Sequence, residues 1–342
     1  MKELLDIQEK LFPDILDVMQ KRYKILQYIQ RMQPIGRRSL SDNLQMKERV
    51  IRSETEFLNK HGFIAVTSKG MQVTEEGNAV IEKLAEFMNG ISEFRVLESQ
   101  IKDKLQLEQV FIVAGNSDEQ PSVKEELGKA CVQFLNTILT SNQTIAVTGG
   151  TSMAEVANQM KPLLHAPKCT FVPARGGLGE QVENQANTIC AQMAKKANGN
   201  YRMLYVPDPL SEDSYHSIIE EPTIKEILEM VHDAKVVLHS IGDAFTMAKR
   251  RKASDSVIEK LRSGNAVSEA FGYYLDEQGE VVYKVRTVGI QIEELKQAQY
   301  VIAVAGGKSK AKAIQSYFKQ GKSNVLITDE AAAKELLKGI SL

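Results

Sequence analysis

The sequence predicts an α/β protein of two domains, a small winged helix-turn-helix followed by a larger Rossmann-like domain. Its 342 residues exceed one ordinary core and suit a small domain joined to one of about 200 to 250 residues. Positive charge is concentrated near the start of the chain, and apolar runs alternate with helical stretches from residue 109 onward. We therefore predict domains over residues 1–90 and 106–342, joined by a helical linker over 91–105.

The composition excludes several classes of protein. Hydrophobic residues make up 43% of the chain and charged residues 25%, which is ordinary for a globular protein in water. No run approaches the roughly 20 apolar residues of a spanning helix, and the acidic first segment is unlike a signal peptide, so we expect a cytoplasmic location. The cysteines, Cys131, Cys169 and Cys190, have neither a C-x-x-C pair nor a zinc-site spacing, so we expect buried thiols and no metal or cofactor.

Three helices are predicted in the first sixty residues. Apolar residues at helical spacing predict a core helix that ends near Pro34 and Gly36. Its expected buried positions are Tyr23, Ile25, Leu26, Ile29 and Met32. Ser39 or Ser41 is expected to cap a short second helix, which a tight connection at residues 45–46 joins to a third helix over 47–60. The inward positions of this third helix are expected to be Val50, Thr55, Phe57 and Leu58.

A hairpin and a further helix complete the predicted winged fold. Residues 62–66 and 71–73 are typical of strands, and 68–70 of the turn between them. Thr74 is expected to cap the next helix. Its buried face is predicted to contain Val80, Ile81, Leu84 and Phe87.

The charge pattern of this domain predicts that it binds double-stranded DNA. Residues 21–52 contain nine basic and two acidic residues, a local charge of +7 in a chain of net charge −1. The expected base-reading residues are Lys47, Arg49, Arg52 and Ser53, because they occupy the first turns of the helix that enters a major groove. Arg37 and Arg38 are expected to contact phosphates. The alternatives are a solvated helical face or a protein-interaction scaffold.

Seven short apolar runs predict a parallel sheet covered by helices. They are residues 110–113, 144–147, 170–172, 203–206, 236–238, 300–304 and 325–327. Ligands of such folds bind beyond the carboxyl ends of the strands, so the residues after each run are candidates for function.

Several predicted strand ends carry the chemistry of an anion site. Residues 148–152 (TGGTS) precede a helix expected over 153–160, and small residues there let backbone N–H groups approach a phosphate. The loop lacks the lysine of a nucleotide P-loop and the spacing of a dinucleotide fingerprint, which disfavours ATP and NAD. A purely structural Gly-Gly turn is the alternative.

Other strand ends supply cations. Arg175 follows the third run, Lys308 and Lys310 follow the sixth, and residues 249–252 (KRRK) lie on a helix after the fifth. A ligand with two phosphates would use cations on both sides, and its sugar hydroxyls would need polar groups. Gln185, Asn187 and Glu269 are the candidates, whereas His239, on an apolar run, is expected to be a core residue.

Long ordered strings in the chain resemble the SorC/DeoR-type sugar-phosphate-responsive repressors that control central glycolytic genes. The strings are residues 20–23 (QKRY), 35–40 (IGRRSL), 148–151 (TGGT), 171–180 (FVPARGGLGE), 184–188 (NQANT) and 269–274 (EAFGYY). The resemblance implies fructose-1,6-bisphosphate as inducer and a homo-oligomer in which dimers pair into a tetramer on operator DNA. It implies an effector site formed by Gly149, Gly150, Thr151, Ser152, Arg175, Gln185, Arg250, Glu269 and Lys310.

The larger domain also resembles sugar-phosphate isomerases and deaminases. Where the deaminases are expected to have Gly-Ile-Gly-x-Asp-Gly-His, residues 240–245 are SIGDAF, so the histidine is missing. Acid–base chemistry needs positioned proton-transfer groups, so we expect a binding domain and no catalysis. An isomerase or deaminase that uses Asp243 as its base and carries an accessory nucleic-acid-binding domain is the alternative.

Overall fold

The computed structural model describes residues 15–163, 165–177, 181–207 and 210–338, which form two compact units. Unit 1 is Met1–Arg95 and unit 2 is Val96–Leu342. Two features lie outside the description: the side chain of Phe87, whose burial is predicted, and residues 178–180 of the FVPARGGLGE string.

The described part of the first unit begins with three helices, as predicted. They are α1 Ile15–Met32, α2 Arg37–Leu44 and α3 Glu48–Lys60. The predicted apolar face of α1 is buried except at Met32, whose residue surface is 51% exposed. The prediction that Met32 belongs to the core is wrong, because this residue ends α1 beyond the turn that buries Ile29.

The cap of α2 differs from the prediction. Gly36, in extended conformation, precedes the helix, so Ser39 and Ser41 lie inside it and neither is its N-cap. The Ser41 hydroxyl instead donates a hydrogen bond to the Met46 carbonyl at 2.6 Å. Gln45 ends α2 in the left-handed conformation, which confirms the tight connection to α3.

A two-stranded antiparallel hairpin and one long helix follow. The strands are β1 Ile64–Thr67 and β2 Gly70–Val73, and the helix is α4 Glu75–Leu105. The Thr74 hydroxyl accepts a hydrogen bond from the Gly77 N–H at 3.0 Å, which confirms the predicted cap. Helix α4 is continuous through the segment expected to be a separate linker helix.

The second unit contains a seven-stranded, fully parallel sheet, as predicted. Its strands, in spatial order, are β3 Gln109–Val113, β13 Val325–Asp329, β12 Tyr300–Val304, β7 Val236–His239, β4 Thr144–Val147, β5 Thr170–Pro173 and β6 Asn200–Tyr201. The strand predicted at residues 203–206 is wrong, because the sheet pairs with Asn200–Tyr201 instead. Leu204 and Val206 are apolar because they are buried against Val288 in a separate small cluster.

Helices cover this sheet, and a second, smaller sheet follows β7. The helices are α5 Pro121–Ile138, α6 Thr151–Gln159, α7 Ala186–Ala197, α8 Glu212–Ile219, α9 Pro222–His232, α10 Ala244–Arg250, α11 Asp255–Ser263, α12 Ala311–Phe318 and α13 Glu330–Leu337. The strands of the antiparallel sheet, in spatial order, are β11 Val281–Lys284, β10 Tyr273–Leu275, β9 Ser268–Ala270 and β8 Gly242–Asp243.

Candidate functional site

Four neighbouring strands in the centre of the parallel sheet carry the predicted effector residues. Strands β12, β7, β4 and β5 are adjacent in that order and parallel, so their carboxyl ends lie at one edge. The segments that follow them contain the glycine loop, Arg175, the residues around Arg250, and Lys310. The sheet therefore brings together segments that are separated by more than a hundred residues in the sequence.

The glycine loop places the start of α6 at this edge. Gly150 has φ +121°, which L side chains rarely adopt, and a Cβ at this position would lie 2.9 Å from the Ser240 hydroxyl oxygen. The Gly150 N–H donates to the Asn184 carbonyl at 2.8 Å, and the first intrahelical bond runs from the Ala154 N–H to the Gly150 carbonyl. The N–H groups of residues 151–153 precede that bond, so they lack intrahelical acceptors, which is the arrangement that suits an anion at a helix N-terminus.

Thr148 adds a buried hydroxyl at the start of this loop. The residue is 6% exposed, and its Oγ1 has no hydrogen-bond partner among the described residues. Leaving a buried hydroxyl without a partner costs about 1–3 kcal/mol of folding free energy. A ligand atom that formed a hydrogen bond with this hydroxyl would recover part of that cost.

A buried cluster of two arginines and one carboxylate lies beside the loop. The Glu269 Oε1 atom accepts hydrogen bonds from the Arg251 Nη2 at 2.8 Å, the Arg175 Nη1 at 3.4 Å and the Gly272 N–H at 2.7 Å. The side chains of Arg175, Glu269 and Arg251 are 8%, 6% and 4% exposed. One carboxylate therefore orients two guanidinium groups.

The charge state of Glu269 follows from these contacts. Burial raises the pKa of this carboxyl, but the charges of Arg251 and Arg175 and the Gly272 hydrogen bond outweigh that effect and leave the pKa below its usual value. The carboxylate is thus ionised at neutral pH, and the cluster has one positive charge more than it has negative charges.

A neighbouring segment holds the backbone of Arg175. The Gly176 N–H donates to the Val288 carbonyl at 2.9 Å, and the Ile290 N–H donates to the Ala174 carbonyl at 2.8 Å. These bonds bracket the isolated bridge between Arg175 and Gly289. The position of the guanidinium is therefore fixed both at the backbone and at the carboxylate.

Reasoning from the residues left 249–252 open, and the family resemblance implied Arg250 but not Arg251. Arg250, the last residue of α10, is exposed, whereas the side chain of Arg251 turns into the protein. The four cations at 249–252 look alike in the sequence, and only the paired carboxylate of Glu269, eighteen residues away, distinguishes Arg251.

Lys310 forms a second concentration of positive charge. The side chain is half-buried, and its pKa lies below the usual value because of burial and the nearby charges of Lys124 and Arg250. Asp118 and Asp329 act in the opposite direction. Lys310 thus lies close enough to two other cations for their charges to repel.

The backbone that precedes Lys310 is occupied by protein contacts. The Gly307 N–H donates to the Asp329 carboxylate at 2.6 Å, and the Ser309 N–H donates to the Asp118 carboxylate at 2.8 Å. Glycine is needed at 306 and 307 because the carboxylates of Asp329 and Asp118 pack directly against the backbone there. The candidate ligand contacts of this loop are therefore its cationic side chains.

The polar candidates for sugar hydroxyls differ in their surroundings. Gln185 is the half-buried N-cap residue of α7, close to Gly177 on the segment that contains Arg175. Asn187, by contrast, bonds through its amide to both the N–H and the carbonyl of Leu204, at 2.9 and 3.0 Å. Both atoms of the Asn187 amide therefore hold the backbone at Leu204, and a contact from Asn187 to a sugar stays a prediction.

The side chains of His239 and Asp243 both form hydrogen bonds that stabilise the fold. His239 is fully buried between the Ser323 and Tyr317 hydroxyls, and burial lowers its pKa to about 3, which confirms the expected core histidine. Asp243 caps α10 by accepting the Thr246 N–H at 2.8 Å. Among the described residues, no group of His, Cys, Asp and Glu side chains could hold a metal ion.

The predicted DNA-contacting residues lie on α2 and at the start of α3. Arg38, Lys47, Arg49, Arg52 and Ser53 are exposed, and Arg37 is half-buried. The opposite face of α3 is buried through Ile51, Thr55 and Leu58. The exposed guanidinium of Arg52 forms an ion pair with Glu56 at 3.1 Å on the same helix.

Two cations of the basic segment have internal roles. Arg22 pairs with Glu54 of α3 at 2.7 Å, and its guanidinium carbon lies 3.4 Å from the centre of the Phe57 ring. Lys21 lies 3.7 Å from the same carboxylate. These contacts hold α3 against α1, so Lys21 and Arg22 contribute to packing within the unit as well as to its positive charge.

None of the helices in the described part of the chain combines the length and the apolar character needed to cross a lipid bilayer.

Comparisons with known proteins match both units. The family model of the CggR N-terminal DNA binding domain matches residues 18–88, and the Sugar-bind model, a sugar-binding domain, matches residues 90–338. The central glycolytic genes regulator of Priestia megaterium is 52% identical over 339 residues, 99% of each chain. The protein of the same name from Bacillus subtilis is 48% identical over 338 residues, again 99% of each chain.

Solved structures show the same fold. A SorC family transcriptional regulator from Enterococcus faecalis is 48% identical with a TM-score of 0.67, over 71% of this chain and 99% of that chain. The full-length sorbitol operon regulator from Klebsiella pneumoniae shares the fold alone, at 18% identity and a TM-score of 0.66, over 94% of this chain and 99% of the other. The chain therefore belongs to the SorC-type family of central glycolytic genes regulators, with a DNA-binding domain followed by a sugar-binding domain.

Proposed function

We propose that the chain represses glycolytic genes from operator DNA and that fructose-1,6-bisphosphate is its inducer. In this proposal residues 1–90 bind DNA, residues 106–342 bind the effector and form the homo-oligomer, and residues 91–105 connect them. The observation that carries the choice of ligand is the presence of cations at two places on one sheet edge. Arg175 and Arg251 lie at the Glu269 carboxylate, and Arg250 lies near Lys310.

The geometry at the two places favours a ligand with two phosphates. Guanidinium groups that are already oriented suit bidentate recognition of one phosphate. The free N–H groups of α6, together with Lys310, suit the other. Gln185 and Glu269 are the proposed partners of the sugar hydroxyls, and the hydroxyls of Thr151 and Ser152 add donors to the phosphate.

The alternative of a sugar-phosphate isomerase or deaminase is less well supported. Asp243, its candidate base, caps α10, and residues 240–245 lack the histidine of the deaminase stretch. The relatives of high identity are named as regulators. Turnover of fructose-6-phosphate or glucosamine-6-phosphate by the purified chain would establish the enzyme instead.

Thermal unfolding with and without fructose-1,6-bisphosphate tests the ligand assignment. A ligand that binds only the folded state adds about 2.7 kcal/mol at 100 times its Kd, so we expect a clear rise in Tm. Glucose-6-phosphate serves as the comparison and should give a much smaller rise. An unchanged Tm with every sugar phosphate would contradict the proposed effector site and leave the DNA-binding half of the proposal intact.

A further inference from the structure

Helix α5 brings a cation to the effector edge that the sequence pattern did not single out. Helix α5 packs closely on α6 at Gly128, where an added Cβ would lie 2.9 Å from the Glu155 carbonyl oxygen. Both helices follow strands of the same parallel sheet, so they run in the same direction. One turn nearer the N-terminus of each helix lie Lys124 and Thr151, so the geometry places Lys124 beside the start of α6.

A second contact places the same part of α5 next to the end of β12. A Cβ added at Gly306 would lie 2.8 Å from the Leu127 side chain, which is three residues from Lys124 on the same face of the helix. Gly306 begins the loop that leads to Lys310. Lys124 therefore lies between the start of α6 and the loop of Lys310.

The electrostatics agree with this placement. The charges of Lys124 and Arg250 both lower the pKa of Lys310, so cations from two other elements repel this lysine. None of the three forms an ion pair with a carboxylate of the described residues. The nearest carboxylates, Asp118 and Asp329, accept backbone N–H groups of the loop before Lys310.

Such an arrangement is destabilising unless an anion joins it. Lys124 and Lys310 are half-buried and Arg250 is exposed. Like charges near a half-buried lysine raise the free energy of the protein without ligand, and a phosphate between them removes the repulsion. The neighbouring residues Arg250 and Arg251 differ in their partners: the charge of Arg250 acts on Lys310, whereas Arg251 pairs with Glu269. The loop before α6 also holds the unpaired buried hydroxyl of Thr148.

We propose that Lys124, Arg250 and Lys310 form one phosphate subsite with the start of α6, and that Lys124 sets the preference for sugar bisphosphates over monophosphates. This inference rests on the proposed effector site. It divides that site into two anion subsites, one at Arg175 and Arg251 and one at Lys124. It also adds a ligand contact from α5, a helix that carries none of the effector residues implied by the family resemblance.

Calorimetric titration of Lys124→Gln tests the subsite. We expect the affinity for fructose-1,6-bisphosphate to fall about tenfold or more, since one charge-assisted phosphate contact is lost. Of the two monophosphates, fructose-1-phosphate and fructose-6-phosphate, one uses this subsite and should weaken similarly, while the other should stay within about twofold. Lys124→Arg keeps the charge and should retain most of the affinity. Lys129→Gln, on the same helix beside Glu126, is the matched control and should bind as the wild type does.

Measuring bisphosphate affinity as a function of pH distinguishes a ligand-binding role of Lys124 from a purely structural one. Removing the charge of Lys124 relieves one of the causes that lower the pKa of Lys310, whose other charged neighbours are Arg250, Asp118 and Asp329. The loss of bisphosphate affinity at alkaline pH should therefore shift to higher pH in Lys124→Gln. An unchanged pH profile would contradict the inference.

The remaining outcomes separate the two proposals. Bisphosphate affinity of Lys124→Gln within twofold of wild type, or an equal loss in Lys124→Arg, would remove Lys124 from the site and leave the proposed function standing. A wild-type chain that binds no sugar phosphate would instead contradict the proposed function itself.

Discussion

At the scale of single residues, Glu269 is the centre of the candidate effector site. Its carboxylate is buried, ionised and shared by two guanidinium groups, each of which is also nearly buried. A carboxylate in such a place stabilises the protein, because it offsets the desolvation cost of two buried positive charges. Its role in ligand binding is therefore partly indirect: it determines where Arg175 and Arg251 point.

Glu269→Gln keeps the shape of this side chain and removes its charge. We expect the free energy of unfolding at pH 7 to fall by about 3 kcal/mol, because two buried guanidinium groups lose their counter-charge. Urea unfolding measures this change. Glu259→Gln, which disrupts an exposed pair with Arg262, is the control and should change stability by less than about 0.5 kcal/mol.

The same variant should change the response to acid. The folded-state pKa of Glu269 is lower than the ordinary 4.5, so its stabilisation is complete above about 4.5 and is lost as the pH falls through the folded value. The wild type should therefore lose more stability than Glu269→Gln on acidification below pH 4.5. An equally steep loss in both proteins would mean that the carboxylate is not held ionised by the arginines.

At the scale of elements, most helices and strands were predicted from the sequence. The prediction failed where an apolar segment is buried but does not pair with a strand. Residues 203–206 are as apolar as a strand, yet they pack against Val288 and not within the sheet. The cap of α2 was also mispredicted, because Ser39 and Ser41 are good capping residues but the extended Gly36 caps the helix three residues before Ser39. Local preference was overruled in both places by tertiary packing.

The candidate site was only partly predictable for a related reason. The glycine loop and Arg175 lie directly after strands, where the parallel-sheet rule directs attention. Arg251 and Lys124 lie on or beside helices, where a cation is ordinarily solvated, and only the three-dimensional arrangement shows which way each side chain turns.

Helix α3 permits a test of the DNA-binding surface at the scale of an element. Arg49→Ala combined with Arg52→Ala should weaken binding to a duplex selected from a random DNA library and leave bisphosphate affinity unchanged, because both residues are exposed on the first turns of α3. Fluorescence anisotropy over a salt series measures both affinity and its slope. Because both residues are expected to read bases, the affinity should fall while that slope changes by less than about 1, the amount expected for one lost phosphate contact.

Lys60→Ala is the matched control on the same helix, since Lys60 lies in its last turn. It should bind DNA with nearly wild-type affinity. If the double variant also bound DNA as the wild type does, the recognition surface would lie elsewhere on the first unit.

At the scale of the whole molecule, one chain contains a DNA-binding domain and a sugar-binding domain. For a repressor with an inducer, the two binding reactions must oppose each other, and linkage requires the effect to be reciprocal. If fructose-1,6-bisphosphate weakens operator binding by some factor, operator DNA must weaken bisphosphate binding by the same factor. The homo-oligomer we propose supplies the arrangement of DNA-binding units on which such coupling acts.

The most direct test is the affinity of the full chain for its selected duplex with and without saturating fructose-1,6-bisphosphate, in wild type and in Arg175→Lys. Allosteric coupling is typically 1–3 kcal/mol, so we predict a loss of roughly 5- to 150-fold for the wild type. Arg175→Lys keeps the charge but loses the bidentate guanidinium, so it should bind DNA normally and respond little to the sugar. Wild-type DNA affinity that is the same with and without the bisphosphate would contradict the account.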